Sequence, residues 1–120
     1  MAKKAKKEKN VVATASLRNV RVSPQKTRIV VNMIKNLQVE SALNALRFDN
    51  GKRSTLIEKL IMSAIANARE QSAANVDDLW VVGAWVDEGK VMTRYKPRAR
   101  GSAFPIRKRS SHVTVQLGTI

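Results

Sequence analysis

The chain has no cysteine, one histidine (His112) and, between Lys90 and His112, no aspartate or glutamate. The first absence removes disulfide frameworks, thiolate zinc sites and cysteine nucleophiles together, and suits a reducing compartment. A lone histidine excludes any multi-histidine metal cluster, so neither a metal site nor a cofactor is expected. The five glycines form neither a dinucleotide fingerprint nor a P-loop. No apolar run approaches the roughly 20 residues that cross a bilayer, and the first residues lack the apolar stretch of a secretory signal. A soluble intracellular protein without a membrane partner is expected.

What is present is positive charge. Among 120 residues, 23 are Lys or Arg and 9 are Asp or Glu, a net +14, more than solubility alone requires of a small domain. Residues 1 to 36 hold ten basic and one acidic residue, residues 37 to 89 five and eight, and residues 90 to 120 eight and none. The middle therefore reads as an ordinary core, with the charge on both flanks and a polyanion as the implied partner.

The length and 43% hydrophobic content fit one domain with a modest core. Residues 1–10 carry five lysines and no large apolar residue after Met1. They are expected to be a disordered basic arm, either settling on phosphate or only solubilising, ahead of a single domain over 11–120.

Ala13, Ala15 and Leu17 alternate with polar neighbours as in a half-buried strand, with a phase slip near Asn19 that implies a bulge before Val20 and Val22. Ser23-Pro24 reads as an N-cap followed by proline at the first helical position. The helix that follows is expected to bury Ile29, Val30, Met33, Ile34 and Leu37, leaving Lys26, Arg28 and Lys35 outside. Val39, Ala42, Leu43 and Leu46 suggest a second helix ending near Asn50-Gly51. A third, with Thr55 and Glu58 at capping-box spacing, has one apolar face of Leu56, Ile57, Leu60, Ile61, Ala64, Ile65 and Ala68.

The rest reads as β. Leu79 to Val86 is dense in Val and Trp, and Val113, Val115 and Leu117 alternate with polar residues. Trp80 and Trp85, five apart, are expected on opposite strand faces, one of them in the core. Pairing the two strands would enclose the basic segment in a long hairpin, whereas a turn at Asp87-Glu88-Gly89 would make a short one of Trp80 to Val86 with Val91 to Lys96. A continuous strand from 79 to 96 would extend about 60 Å, beyond what three modest helices can cover.

The carboxylate pairs Asp77-Asp78 and Asp87-Glu88 read as turn or cap residues, because neighbours on a strand point to opposite faces. Ser110-Ser111-His112 lacks any orienting carboxylate nearby in sequence. No enzyme and no small-molecule substrate are expected. The arm itself, with Lys90, Arg94, Lys96, Arg98, Arg100, Arg107, Lys108 and Arg109 beside Tyr95 and Phe104, has the forked donors and flat surfaces that bind phosphate and bases.

Three segments carry a resemblance: Val86-Asp87-Glu88-Gly89, Lys96-Pro97-Arg98-Ala99-Arg100-Gly101, and Ile106-Arg107-Lys108-Arg109-Ser110-Ser111-His112-Val113-Thr114-Val115. With Val20-Arg21-Val22-Ser23-Pro24-Gln25-Lys26-Thr27-Arg28 and Asn67-Ala68, the chain from residue 13 onward resembles the bacterial large-subunit ribosomal protein L twenty-two family. The resemblance implies an α+β fold: three helices packed on a small antiparallel sheet, with a long protruding basic β-hairpin over about 86–112. It implies a structural constituent of the large ribosomal subunit in the cytoplasm, binding rRNA and neighbouring large-subunit proteins, with no homo-oligomer. The globular part would sit near the exit of the polypeptide tunnel and the hairpin tip would line its wall beside the nascent chain. Arg94, Lys96, Arg98, Arg100, Arg107, Lys108 and Arg109 would touch rRNA along the arm, together with Arg18, Arg21, Lys26, Arg28, Lys90 and His112. Arg100, Gly101, Ser102, Ala103 and Phe104 would form the tip, where family members often carry a basic residue in place of Ser102. The rival reading is an architectural DNA-bending protein, which also extends basic β-arms and wedges proline between base steps, here Pro97 or Pro105.

Overall fold

Helices cover one face of a three-stranded antiparallel sheet, and a two-stranded ribbon continues beyond the sheet. The computed structural model describes residues 10–49, 51–72 and 75–119. In chain order these are β1 (Asn10–Val20), α1 (Pro24–Ile34), α2 (Val39–Phe48), α3 (Lys52–Ser72), a 3-10 turn (Val76–Asp78), β2 (Trp80–Glu88), β3 (Met92–Pro97), a 3-10 turn (Ala99–Gly101), β4 (Ala103–Lys108) and β5 (Ser111–Thr119). The expected N-terminal arm lies outside the described residues except for Asn10, which already pairs with Thr119 in β1.

The sheet has the order β1-β5-β2. Alternation along β5 buries Ser111, Val113, Val115 and Leu117, and the apolar three meet Ala13 and Ala15 of β1 and Val81, Ala84 and Val86 of β2 in one core. The central helix is α3, whose Ile57, Leu60, Ile61, Ala64, Ile65 and Ala68 are all buried. Its alanines let the helix lie close on β1, and Asn67 Nδ2 donates to Thr14 O at 3.4 Å. The helix starts at Lys52, three residues before the expected cap. Thr55 is inside the first turn with its hydroxyl on Gly51 O, and Ser54 Oγ instead donates to Asp49 Oδ2 at 2.8 Å.

Two further expectations are corrected. First, α1 buries Pro24, Thr27, Val31 and Ile34, while Ile29 is 72% exposed and Met33 is also exposed. The helix is rotated toward a small polar residue, Thr27, because its hydroxyl is satisfied locally by Ser23 O at 2.7 Å and can be buried without a distant partner. Ser23 occupies the N-cap position, but its side chain makes no capping bond. Second, a register shift between Val81 and Gly83 inserts one residue into β2. That reverses the alternation between the tryptophans, so Trp80 and Trp85 share the face turned away from the helices and neither belongs to the core cluster. By contrast, α2 ends close to Asn50-Gly51 as expected, at Phe48 with Asp49 as its C-cap, although Asn50 itself lies outside the described residues.

The free edge of β2 is covered rather than bare. Asn36 N donates to Val81 O, Val81 N to Leu37 O and Val39 N to Leu79 O, all near 3 Å. Farther along the same strand, Arg28 Nε and Nη2 both donate to Val86 O, at 3.2 and 3.0 Å. Such coverage blocks edge-to-edge association.

Candidate nucleic-acid interface

The hairpin is the long one. β2 and β5 pair from Trp80↔Gly118 to Glu88↔Ser111, and β3 and β4 continue from Met92↔Lys108 to Pro97↔Ala103. Between the two ladders, Gly89 N donates to Ser110 O at 2.9 Å and Ser110 Oγ donates to Lys90 O at 2.6 Å. A Cβ at residue 89 would lie 2.5 Å from Ser110 Oγ and 3.2 Å from the Ser110 backbone, so any side chain there must displace the Ser110 hydroxyl from its bond to Lys90 O. Closeness of approach favours glycine here.

Every residue from Lys90 to Arg109 is exposed. No residue of the arm is enclosed, Met92 and Ile106 being the apolar side chains most covered at 38% and 39% exposed, and a two-stranded ladder so thinly covered is marginal in water. Its register sorts the side chains, since directly opposed residues share a face. One face carries Met92, Arg94 and Lys96 opposite Lys108, Ile106 and Phe104. The other carries Thr93, Tyr95 and Pro97 opposite Arg107, Pro105 and Ala103, and by alternation Val91 and Arg109 fall on it as well. Each face thus mixes cations with apolar or aromatic surface. That is the combination that grips a phosphate backbone while contacting bases or sugars.

At the tip, Arg98 N donates to Ser102 O at 2.7 Å and closes a five-residue loop. Arg100 (φ 67°) and Gly101 (φ 71°) both adopt left-handed backbone. For the glycine this carries no steric penalty; for the arginine it does. The turn thereby places a strained arginine at the apex, with Phe104 exposed two residues past the loop closure.

The remaining expected contact residues lie on the domain. Arg18, Arg21 and Lys26 are exposed at the end of β1, after it, and on α1. Arg28 is drawn onto Val86 O, so part of its fork is used to tie α1 to β2. His112 is half-buried, and its Nδ1 accepts Asn19 N at 3.0 Å where Asn19 bulges with φ 57°. Both have a structural task that no local pattern announces, because their partners are 58 and 93 residues away. Ser110 and Ser111, beside His112, also serve structure: Ser111 Oγ donates to Val22 O at 2.7 Å. Among the described residues no group of His, Asp and Glu could hold a metal ion.

The model of the family described as ribosomal protein L22p/L17e matches residues 15–118. Relatives named large ribosomal subunit protein uL22 are similar over nearly their full length. That of Syntrophotalea carbinolica is 48% identical over 105 residues, covering 88% of this chain and 96% of the relative. In Caldicellulosiruptor saccharolyticus the relative is 47% identical over 88% of this chain and 86% of its own length. For Bdellovibrio bacteriovorus the values are 44%, 86% and 94%. A helix-covered sheet extended by a basic, exposed hairpin, and a match that runs from the middle of β1 to near the end of β5, place this chain in the ribosomal protein L22p/L17e family.

Proposed function

We propose that the chain is a structural constituent of the cytoplasmic large ribosomal subunit that binds and organises rRNA without catalysing a reaction. The observation that carries this reading is an arm with eight cations, no acid and no buried residue from Lys90 to Arg109. An extended ribbon without a core has little reason to be ordered in water. Enclosed in RNA it exchanges condensed counterions for phosphate contacts, and its ordering cost is met at assembly. The exposed cations Arg18, Arg21 and Lys26 extend the same surface onto the domain.

In this reading the globular part sits near the exit of the polypeptide tunnel, beside neighbouring large-subunit proteins. The arm threads inward, so that residues 100 to 104 line the tunnel wall within reach of the nascent chain. The DNA-bending alternative is disfavoured by the prolines: Pro105 is paired with Tyr95 and Pro97 with Ala103 inside the ladder, so neither is the apex wedge. Photocrosslinkers at Tyr95 and Ser102, tested in purified large subunits with and without a stalled nascent chain, check the proposal. Crosslinks from Tyr95 to rRNA and from Ser102 to the nascent chain are expected; crosslinks from both positions to outer-surface proteins alone would refute the threading.

A further inference from the structure

A hollow of about 370 Å³ lies at the root of the arm, between the start of α1 and one face of the ribbon. Its walls are Pro24 on one side and Val91, Thr93, Arg107 and Arg109 on the other, with Glu88 at the end of β2. The floor is already satisfied, since Gly89 N, Ser110 O, Ser110 Oγ and Lys90 O bond one another. The charged groups are not. Among the described residues the ion pairs include only Arg47 with Glu58, so Glu88 lines the same hollow as Arg107 and Arg109 without an ion pair to either.

That donor and acceptor set is selective. The guanidinium groups are donors only, and an ionised Glu88 is an acceptor only. A simple anion would leave Glu88 opposed, and a cationic ligand would face two arginines. The complementary ligand has an anionic oxygen, a flat apolar body and an edge that donates hydrogen bonds. We propose that this hollow receives one nucleotide everted from RNA, its phosphate on Arg107 and Arg109 and its base against Val91 and the methyl of Thr93. Glu88 reads the base edge. Guanine presents two adjacent N–H donors that match the two carboxylate oxygens, whereas uracil presents one N–H between two carbonyls that the carboxylate repels. The preference is therefore for guanine. The volume, near the low end of the roughly 300–1,000 Å³ of small-ligand pockets, suits a single nucleotide and excludes a duplex. Everted bases are what RNA offers to such a site.

The inference rests on reading the arm as an RNA ligand, and the test separates the two. The full chain is titrated with a short RNA hairpin carrying one bulged guanosine, with the same hairpin carrying a bulged uridine or an abasic bulge, and with GMP. Guanosine should bind about tenfold more tightly than uridine, the discrimination of one well-placed bidentate contact. Glu88→Gln should erase that ratio without weakening the uridine RNA, and Arg107→Ala with Arg109→Ala should weaken all three RNAs. Equal affinity for guanosine, uridine and abasic bulges would overturn the pocket while leaving the arm's RNA binding intact. GMP bound as tightly as the bulged RNA would overturn the everted-nucleotide assignment, and failure to bind any RNA would overturn both readings.

Discussion

The Nδ1 of His112 accepts the backbone N–H of Asn19 across the β1–β5 bulge, at 3.0 Å. Only a ring with its proton on Nε2 can accept there, so the bond fixes the tautomer. Nitrogen chemical shifts of the free protein should show His112 as the Nε2–H form; an Nδ1–H pattern would contradict the bond. His112→Ala should cost about 1 kcal/mol, the typical net value of one hydrogen bond, read by denaturant unfolding.

Ile61 and Ile29 make a matched pair. Ile61 is 0% exposed at the centre of α3, and Ile29 is 72% exposed on α1. Ile61→Ala should destabilise by about 2–5 kcal/mol, and Ile61→Asp should leave no folded signal in circular dichroism. Ile29→Ala should fall within about 0.5 kcal/mol of the parent. Comparable destabilisation at the two positions would mean that α1 turns Ile29, rather than Thr27, toward the sheet.

Replacing Arg98, Arg100, Arg107 and Arg109 by alanine removes half of the arm's cations and leaves the core untouched. The thermal midpoint of the free protein should stay within a degree or two, roughly what a surface change does. The dependence of log K for rRNA on log salt should flatten by up to about 3, at ~0.7 for each phosphate no longer neutralised. An unchanged slope would remove these arginines from the interface.

The tip turn is testable by itself. Gly101→Ala puts a Cβ on a residue at φ 71°, and Arg100→Gly relieves one at φ 67°. The first should accelerate amide exchange at Arg98, whose N–H closes the loop onto Ser102 O, and the second should slow it. Neither should move the global unfolding midpoint, because the tip shares no core.

Arg28→Lys retains a positive charge but gives up the fork on Val86 O. A destabilisation of about 1–2 kcal/mol is expected, nearly equal to that of Arg28→Ala. Full stability of the lysine variant would mean that the charge, not the fork, holds α1 to β2.

The parts of this fold that can be read from residues alone are those with a strong, one-sided pattern. α3 is one: the apolar face from Ile57 to Ala68 is buried, as the spacing requires. The half-buried β1 and β5 are others. Periodicity misphases α1 because two exposed apolar residues, Ile29 and Met33, mimic a core face while the residue that is buried, Thr27, is polar. It misplaces the tryptophans because a one-residue bulge leaves no mark in composition. Nor can it choose between a long and a short hairpin, since an arm without a core has no face to encode; the family resemblance makes that choice. The eight arm cations are legible as a charge excess. Their division between two faces depends on a register that only the folded ladder supplies.

Mechanically, the ribbon beyond Gly89 is a lever. Its tip stands about 30 Å from the joint, roughly nine extended residues at ~3.4 Å each before the turn, so a rotation of about 6–7° at the root displaces the apex by about 3.5 Å. That is the width of a stacked base, enough to exchange one set of neighbours for the next. The pivot of that lever lies where the two strands leave no spare room, because a methyl at residue 89 would press on Ser110.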